Sequence, residues 1–453
     1  MPWIAASYLL SSILLILSIR GLASPRTARR GCLLGFLGML LAIATTISLP
    51  SVHHRILPIV IILAGGGVGI YSAIKVKMTS LPQMIAAFNG LGGLAAVLIA
   101  IAEIIGGSSA YFDNTVGLII GALAFSGSLI AFAKLQNLIS PLPITFPKLH
   151  LIILSLALML LGLCCSFIIS GNNFIFLCLS IVTILLGILL VLPIGGADMP
   201  VIISILNSYS GWAAVGIGFS LSNILLIIIG ALVGASGAIL SYIMVKSMNR
   251  SLAAVIFGGF ENSRNNTSML HSSDQTAHAG SPEDAAFIME NASKIIIVPG
   301  YGMAVAQAQN ILKEMAADLR NLYHVQVLFA IHPVAGRMPG HMNVLLAEAN
   351  VPYEDVIGLE ESNHEFATAD VAYIIGANDI TNPLARTDPH SPIYGMPVLD
   401  VGLAKTVFFV KRSLAHGYSG VENPLFFADN TVMLYGDAKK ITEEIVNTLE
   451  HDK

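Results

Sequence analysis

Charge is nearly absent from the first 250 residues of this chain. Of its 50 charged side chains only 14 precede Ser251: eleven Lys or Arg, with Glu103, Asp113 and Asp198. An ionised group in hydrocarbon is costly, so a long stretch stripped of charge is one that a bilayer can accept. Hydrophobic residues make up 55% of the chain and the mean hydropathy is +0.78. That balance excludes an ordinary soluble globular protein. The net charge of −4 gives no sign of a nucleic-acid partner.

A spanning helix needs about 20 apolar residues. Nine runs qualify: 3–19, 31–49, 56–74, 84–104, 116–133, 149–169, 174–192, 201–219 and 221–245. The first could be mistaken for a secretory signal. It has no basic residue ahead of it, and Arg20, Arg26, Arg29 and Arg30 follow, so it reads as the first span. Loops after odd-numbered runs hold those four with Lys75, Lys77, Lys134, Lys148, Lys246 and Arg250; loops after even-numbered runs hold only Arg55. This positive-inside bias puts the N-terminus outside and everything beyond Val245 in the cytoplasm. An odd number of spans is what that orientation requires.

Within the spans, Gly65-Gly-Gly-Val-Gly69, Gly90-Leu-Gly-Gly93 and Gly230-Ala-Leu-Val-Gly-Ala-Ser-Gly237 supply small residues at helical spacing. Small residues let helix backbones approach closely, so tight packing is expected at all three. Polar groups in a membrane are functional candidates by default: Asn89, Glu103, Ser126, Ser128, Asp198, Asn207, Ser208, Ser210, Asn223 and Ser236. Glu103 lies near a span end, within reach of the interface. Asp198 stands at a helix start and has two readings, an N-cap or a gate or proton relay. No His falls mid-span, so a proton path lacks the usual titratable imidazole. The four cysteines, Cys32, Cys164, Cys165 and Cys178, all lie in apolar runs and read as buried structural thiols. They have no metal-site or disulfide spacing.

Residues 251–286 are polar and read as a linker. Beyond them, strand-like runs at 294–298, 325–331, 371–375, 407–410 and 432–434 alternate with helical patterns at 303–323, 341–350 and 438–449. Such alternation implies a parallel sheet with helices on both faces. The expected fold is a polytopic α-helical membrane domain over 1–250, with about nine transmembrane helices. A soluble α/β Rossmann-like parallel-sheet domain follows over 287–453.

Three strand ends carry chemistry. Pro299-Gly-Tyr-Gly-Met-Ala-Val305 joins a strand to a helix, the context in which Gly-x-Gly lets a pyrophosphate approach the backbone. The third position of that fingerprint is Val305, neither Gly nor Ala. Ile374-Ile-Gly-Ala-Asn-Asp379 ends a second strand with a glycine and an acid. Lys411 and Arg412 follow a third; adjacent cations at a strand's carboxyl edge suit a phosphate, or form a solvated basic turn. Together the three favour a dinucleotide, NADP above NAD.

Long runs of the chain resemble the beta subunit of the proton-translocating NAD(P) transhydrogenase family. They are 298–309, His332-Pro-Val-Ala-Gly-Arg-Met-Pro-Gly-His-Met-Asn-Val-Leu-Leu-Ala-Glu348, the Gly376-Ala-Asn-Asp379 turn, 411–418, Asn423-Pro-Leu-Phe-Phe427, and in the membrane half 195–212 and 230–250. The resemblance implies a soluble domain that holds NADP(H). Around the nucleotide it implies Gly300, Tyr301, Gly302, Met303, Ala304 and Val305 at the first strand end, then Val334, Ala335, Gly336, Arg337, Met338 and Pro339. Gly376, Ala377, Asn378 and Asp379 come next, followed by Lys411, Arg412, Ser413, Gly417, Tyr418, Gly436 and Asp437. Lys411 and Arg412 would take the 2′-phosphate, and Asp379 would be a state-sensitive acid at the catalytic centre.

The same resemblance implies Asn89, Ser128, Asp198, Asn207, Gly237 and Arg250 on a proton path or hinge. It implies NAD(H) on a separate alpha subunit, a dimer of alpha–beta pairs, and a bacterial inner membrane with its lipid around the spans. Two positions depart from the family pattern: Asn89 stands where many relatives carry His, and Ile380 where a Thr is usual. The chain has no second Gly-x-Gly strand turn and so no obvious NAD site of its own. Hydride transfer needs two nicotinamides at about 3–3.5 Å, which makes this chain half of an enzyme. The cofactors carry the hydride chemistry. The alternative is an NADP-gated transporter or channel without redox turnover. A membrane-anchored quinone reductase has no flavin or metal motif to support it.

Overall fold

The structure, a computed structural model, describes residues 2–22, 25–49, 55–76, 80–140, 143–195, 198–248, 251–256, 277–336, 340–389, 391, 393–414, 419 and 421–451. The chain divides into two compact units, one comprising Met1–Gly196 and Ile202–Ser241, the other Ala197–Val201 and Tyr242–Lys453.

Nine helices among the described residues are long and apolar enough to cross a membrane. They are α1 (Pro2–Leu22), α2 (Pro25–Ile47), α3 (Ile56–Lys75), α4 (Leu81–Ile105), α5 (Tyr111–Leu135), α6 (Leu149–Ser170), α7 (Asn173–Val191), α8 (Met199–Ser220) and α9 (Ile224–Ser247). Glycine sets the closest crossings. A Cβ on Gly93 of α4 would stand 2.5 Å from the Gly121 carbonyl of α5, and one on Gly230 of α9 would stand 2.7 Å from the Gly211 carbonyl of α8. Serines fasten the α8–α9 crossing: Ser204 Oγ donates to the Gly237 carbonyl at 3.0 Å and Ser208 Oγ to that of Gly234 at 2.6 Å.

Three sequence expectations fail in this unit. The Gly65–Gly69 run packs against nothing among the described residues. A Cβ at Gly65, Gly66, Gly67 or Gly69 would meet nothing within 4 Å, and no residue of α3 is buried. Lys134 is not a loop cation: it lies in α5 with 1% of its surface exposed. Its ammonium donates to the carbonyls of Leu192, at 2.5 Å, and Ile194, at 2.7 Å. Those carbonyls follow the last turn of α7, where the helix leaves its acceptors unmatched. The cysteines are not fully buried within the chain either; Cys32 and Cys165 are exposed and Cys164 and Cys178 half-buried, Cys164 packing against the helical core.

The second unit is a six-stranded, wholly parallel sheet of order β3-β2-β1-β4-β5-β6. Its strands are β1 (Lys294–Pro299), β2 (Gln326–Ala330), β3 (Val356–Ile357), β4 (Val371–Ile375), β5 (Thr406–Lys411) and β6 (Thr431–Tyr435). Helices α10 (Leu252–Ile256), α11 (Pro282–Glu290), α12 (Tyr301–Ala306), α13 (Gln309–Tyr323), α14 (His341–Glu348), α15 (Leu359–Phe366), α16 (Leu384–Thr387) and α17 (Ala438–His451) complete it. Ile295, Ile296, Ile297 and Val298 of β1 are fully buried, as a strand covered on both faces requires. Each such side chain stabilises the fold by about 1.5–3 kcal/mol relative to exposure.

Alternation of strand and helix is as the sequence pattern predicts, with several differences. Helices α10, α15 and α16 lie where no helical pattern is read. The two residues of β3 are too few to leave a pattern. The helix expected over 303–323 is two helices, because Gln307 takes a left-handed conformation (φ 54°) between α12 and α13. And α11 starts at Pro282, fastened by a reciprocal cap between Ser281 and Asp284, and sends Ala285, Ala286 and Met289 into the sheet's core.

Candidate functional site

In a sheet of this order the strand sequence reverses between β1 and β4, and a crevice opens at their carboxyl ends. Glycine lines it. Gly302 N–H donates to the Gly376 carbonyl at 2.9 Å, joining the two strand ends directly. A Cβ on Gly302 would lie 2.6 Å from Gly376 Cα, and one on Gly300 would lie 2.6 Å from Ala377 Cα. Gly376 has φ +72°, and a Cβ there would collide with the amide of Met303. The bottom of the crevice is therefore bare main chain, the surface that lets a pyrophosphate come close. Met303 and Ala304 are fully buried, so their side chains belong to the core, whereas Val305 is 51% exposed.

Beyond Gly376 and Ala377, Asn378 Oδ1 accepts from the fully buried Asn423 at 3.2 Å. The carboxylate of Asp379 is occupied twice: Ser419 N–H donates to Oδ2 at 2.9 Å and Ser419 Oγ to Oδ1 at 2.7 Å. Lys411, ending β5, lays its ammonium over the Phe426 ring at 4.3 Å. Burial pushes its pKa down, and the charge of Asp379 draws it back up. Arg412 turns outward to pair with Asp437 at 2.5 Å. That guanidinium holds the Asp437 carboxyl below its ordinary range. Ser413 is exposed beside it, and Gly436 N–H donates to the Lys411 carbonyl at 3.0 Å.

At the end of β2, Val334 and Ala335 pack on the core, and Gly336 (φ +117°) has no room for a Cβ because His341 backs it at 2.7 Å. The His341 ring lies 6.1 Å from that of Tyr301. His332 is buried. Its Nδ1 accepts from Val334 N–H at 3.2 Å, which leaves Nε2 to donate to the Pro397 carbonyl at 2.7 Å. Burial lowers its pKa to about 4, so the ring is neutral near pH 7. His332 borders a cavity of about 550 Å³ with Pro333, Gly358, Leu359, Glu360, Glu361 and Pro397.

In the helical unit, Asn89 is buried on α4 and its Nδ2 donates to the Ile203 carbonyl of α8 at 3.3 Å. Ser128 is buried on α5, with its Oγ making no hydrogen bond among the described residues, and its Cβ would lie 3.3 Å from a Cβ on Gly90. Asn207, on α8, accepts from Ser210 Oγ through its carbonyl at 2.9 Å. Gly237 of α9 meets the Ser204 carbonyl and the Ser208 amide within 3 Å of where its Cβ would be. Asp198 is buried immediately before α8, in the segment that clusters with the second unit.

Arg337, Met338, Pro339, Gly417, Tyr418 and Arg250 lie outside the described residues. Ser419 joins the site without having been singled out, and His332, Asn423 and Phe426 stand in the sequence only within longer runs, with no contact of their own read from them. Each meets its partner across 15 to 65 residues of chain or through a ring face, and no local spacing records that.

A family model for the NAD(P) transhydrogenase beta subunit matches residues 4–448. Two relatives, both the NAD(P) transhydrogenase subunit beta of Rhodospirillum rubrum, are each 56% identical over 457 residues, spanning 98% of this chain and 98% of their own length.

Proposed function

Because this chain belongs to the NAD(P) transhydrogenase beta subunit family, we propose that its sheet unit binds NADP(H) for hydride exchange with NAD(H) on an alpha subunit, coupled to proton movement through the helical unit. One observation carries the reading: the glycine crevice between β1 and β4, with cations at the neighbouring strand end. Bare peptide at Gly300, Gly302 and Gly376 fits a pyrophosphate, and a side chain at any of them would collide with the backbone of the facing strand end. Lys411 and Arg412 fit the additional phosphate of NADP. The nucleotide supplies the hydride chemistry when bound.

The chain's own residues orient and enclose. Asp379 ties down Ser419, while its charge also faces Lys411. That one carboxylate therefore links Ser419 to the cation at the site. Asn89, Ser128, Asp198, Asn207 and Gly237 are the polar or small groups on which we place proton access. The biased loop charges favour a cytoplasmic sheet unit in an inner membrane.

The test is binding of NADPH and NADH to the full chain. Charge-assisted contacts are worth about 1.5–3 kcal/mol each. Lys411→Ala and Arg412→Ala should each weaken NADPH by roughly ten- to a hundredfold and NADH far less. Equal effects on both nucleotides would end the 2′-phosphate assignment. Absence of hydride exchange between NADH and an NADP analogue in membranes holding this chain and its alpha subunit would end the transhydrogenase reading.

A further inference from the structure

The ion pair at the ends of β5 and β6 carries an inference beyond the binding of NADP(H), on which it rests. Arg412 and Asp437 face each other across adjacent parallel strands, Nη2 to Oδ2 at 2.5 Å. The other oxygen of Asp437 accepts from the backbone N–H of Lys439, at 3.1 Å, in the first turn of α17. One carboxylate thus engages two donors that a phosphate at this edge would seek, a guanidinium and an amide at a helix start.

Lys411 does not compete for that role in the same way. Its ammonium turns inward over Phe426 and toward the charge of Asp379. Arg412 is 69% exposed and Asp437 29%, so solvent reaches their pair and an incoming anion can too. Two anions cannot both hold the same face of one guanidinium at hydrogen-bond distance without repelling each other. A phosphate arriving at Arg412 must displace the carboxylate or accept its repulsion.

We propose that Asp437 is a specificity-determining residue that acts by competition: its carboxylate stands in for the 2′-phosphate on Arg412, and a phosphorylated nucleotide binds by exchanging with it. A nucleotide without the phosphate leaves the pair closed. Asp437 therefore lowers affinity for NADP(H) selectively. It keeps the site from holding the phosphorylated nucleotide as tightly as the cations alone would, which favours turnover of bound nucleotide.

The experiment compares the Kd values of NADPH and NADH for the full chain and for Asp437→Asn. Asparagine retains an acceptor for Lys439 N–H and removes the charge. Exposed ion pairs are weak, worth about 0.2–1 kcal/mol, so NADPH should bind roughly two- to fivefold more tightly. NADH should be unchanged, and release of NADPH should be slower. Asp437→Ser, which also caps a helix, should behave alike and guards against a folding defect peculiar to one variant. Weaker NADPH binding, or an unchanged ratio of the two Kd values, would overturn the proposal and leave Asp437 as a residue that orients Arg412. Arg412→Ala separates the two readings. If it fails to change the NADPH to NADH ratio, the 2′-phosphate assignment fails; if it does change the ratio while Asp437→Asn does not, only the competition fails.

Discussion

Asp379 and Ser419 are joined at two points, the carboxylate accepting the backbone N–H at 2.9 Å and the hydroxyl at 2.7 Å. Such a double tether fixes both the position and the rotamer of the serine. Hydrogen bonds to a charged acceptor contribute about 1.5–3 kcal/mol. Ser419→Ala removes one of the two and should speed NADP(H) dissociation by about tenfold or more. Asp379→Asn weakens both and should speed it further. Stopped-flow displacement of bound NADPH reads the rates, and identical rates in wild type and Ser419→Ala would detach this tether from nucleotide retention.

Gly376→Ala should destabilise the sheet unit by more than about 2 kcal/mol. The left-handed conformation alone costs an alanine about 1–2 kcal/mol, and its methyl would press on the Met303 amide, which is backbone and cannot swing away. Thermal unfolding measures the loss. NADPH binding should fall even where the variant still folds, because the methyl pushes apart the two strand ends that shape the crevice.

Lys134→Met should loosen the helical unit. It leaves the Leu192 and Ile194 carbonyls without the ammonium that they share. Each lost bond to a charged donor costs about 1.5–3 kcal/mol. Thermal unfolding in detergent should show a clear drop in midpoint, smaller for Lys134→Gln, which keeps a donor. An unchanged midpoint in both variants would reduce Lys134 to a bystander.

His332 predicts an acid limit. Its pKa in the fold is about 4, against an ordinary 6.5. Between those values an unfolded chain binds a proton at this position and the folded chain does not. Stability is therefore fully present above about pH 6.5 and falls as pH drops toward 4, by at most about 3 kcal/mol from this residue. Below pH 4 both states are protonated and the loss stops growing. Melting temperatures of wild type and His332→Asn across pH 4–7 isolate the slope; parallel curves would contradict it.

The sheet was legible because buried parallel strands are written as uninterrupted apolar runs. Residues 294–298 and 371–375 announce β1 and β4 to within a residue. The spans were legible for the same reason, through lack of charge. What escaped reading depends on neighbours distant in sequence. Lys134 looks like an interfacial cation by composition, and only the approach of the α7 end makes it a buried donor. The break at Gln307 carries no glycine or proline to announce it. The glycines of α3 have the spacing of a packing motif, but spacing does not say whether a neighbour is supplied by the same chain. At the candidate site, the strand-end glycines and acids stand out locally, while the pairing of Asp379 with Ser419 and of Arg412 with Asp437 spans 40 and 25 residues and leaves no local mark.

The contact of Gly300 and Gly302 with Gly376 and Ala377 has an evolutionary corollary. Where peptide meets peptide, any added side chain runs into backbone that cannot swing away, so a substitution at Gly300, Gly302 or Gly376 strains the fold itself. Drift in preference between related dinucleotides must then come from the periphery, at positions such as 411, 412 and 437, where a new residue can be tried without disturbing the architecture beneath.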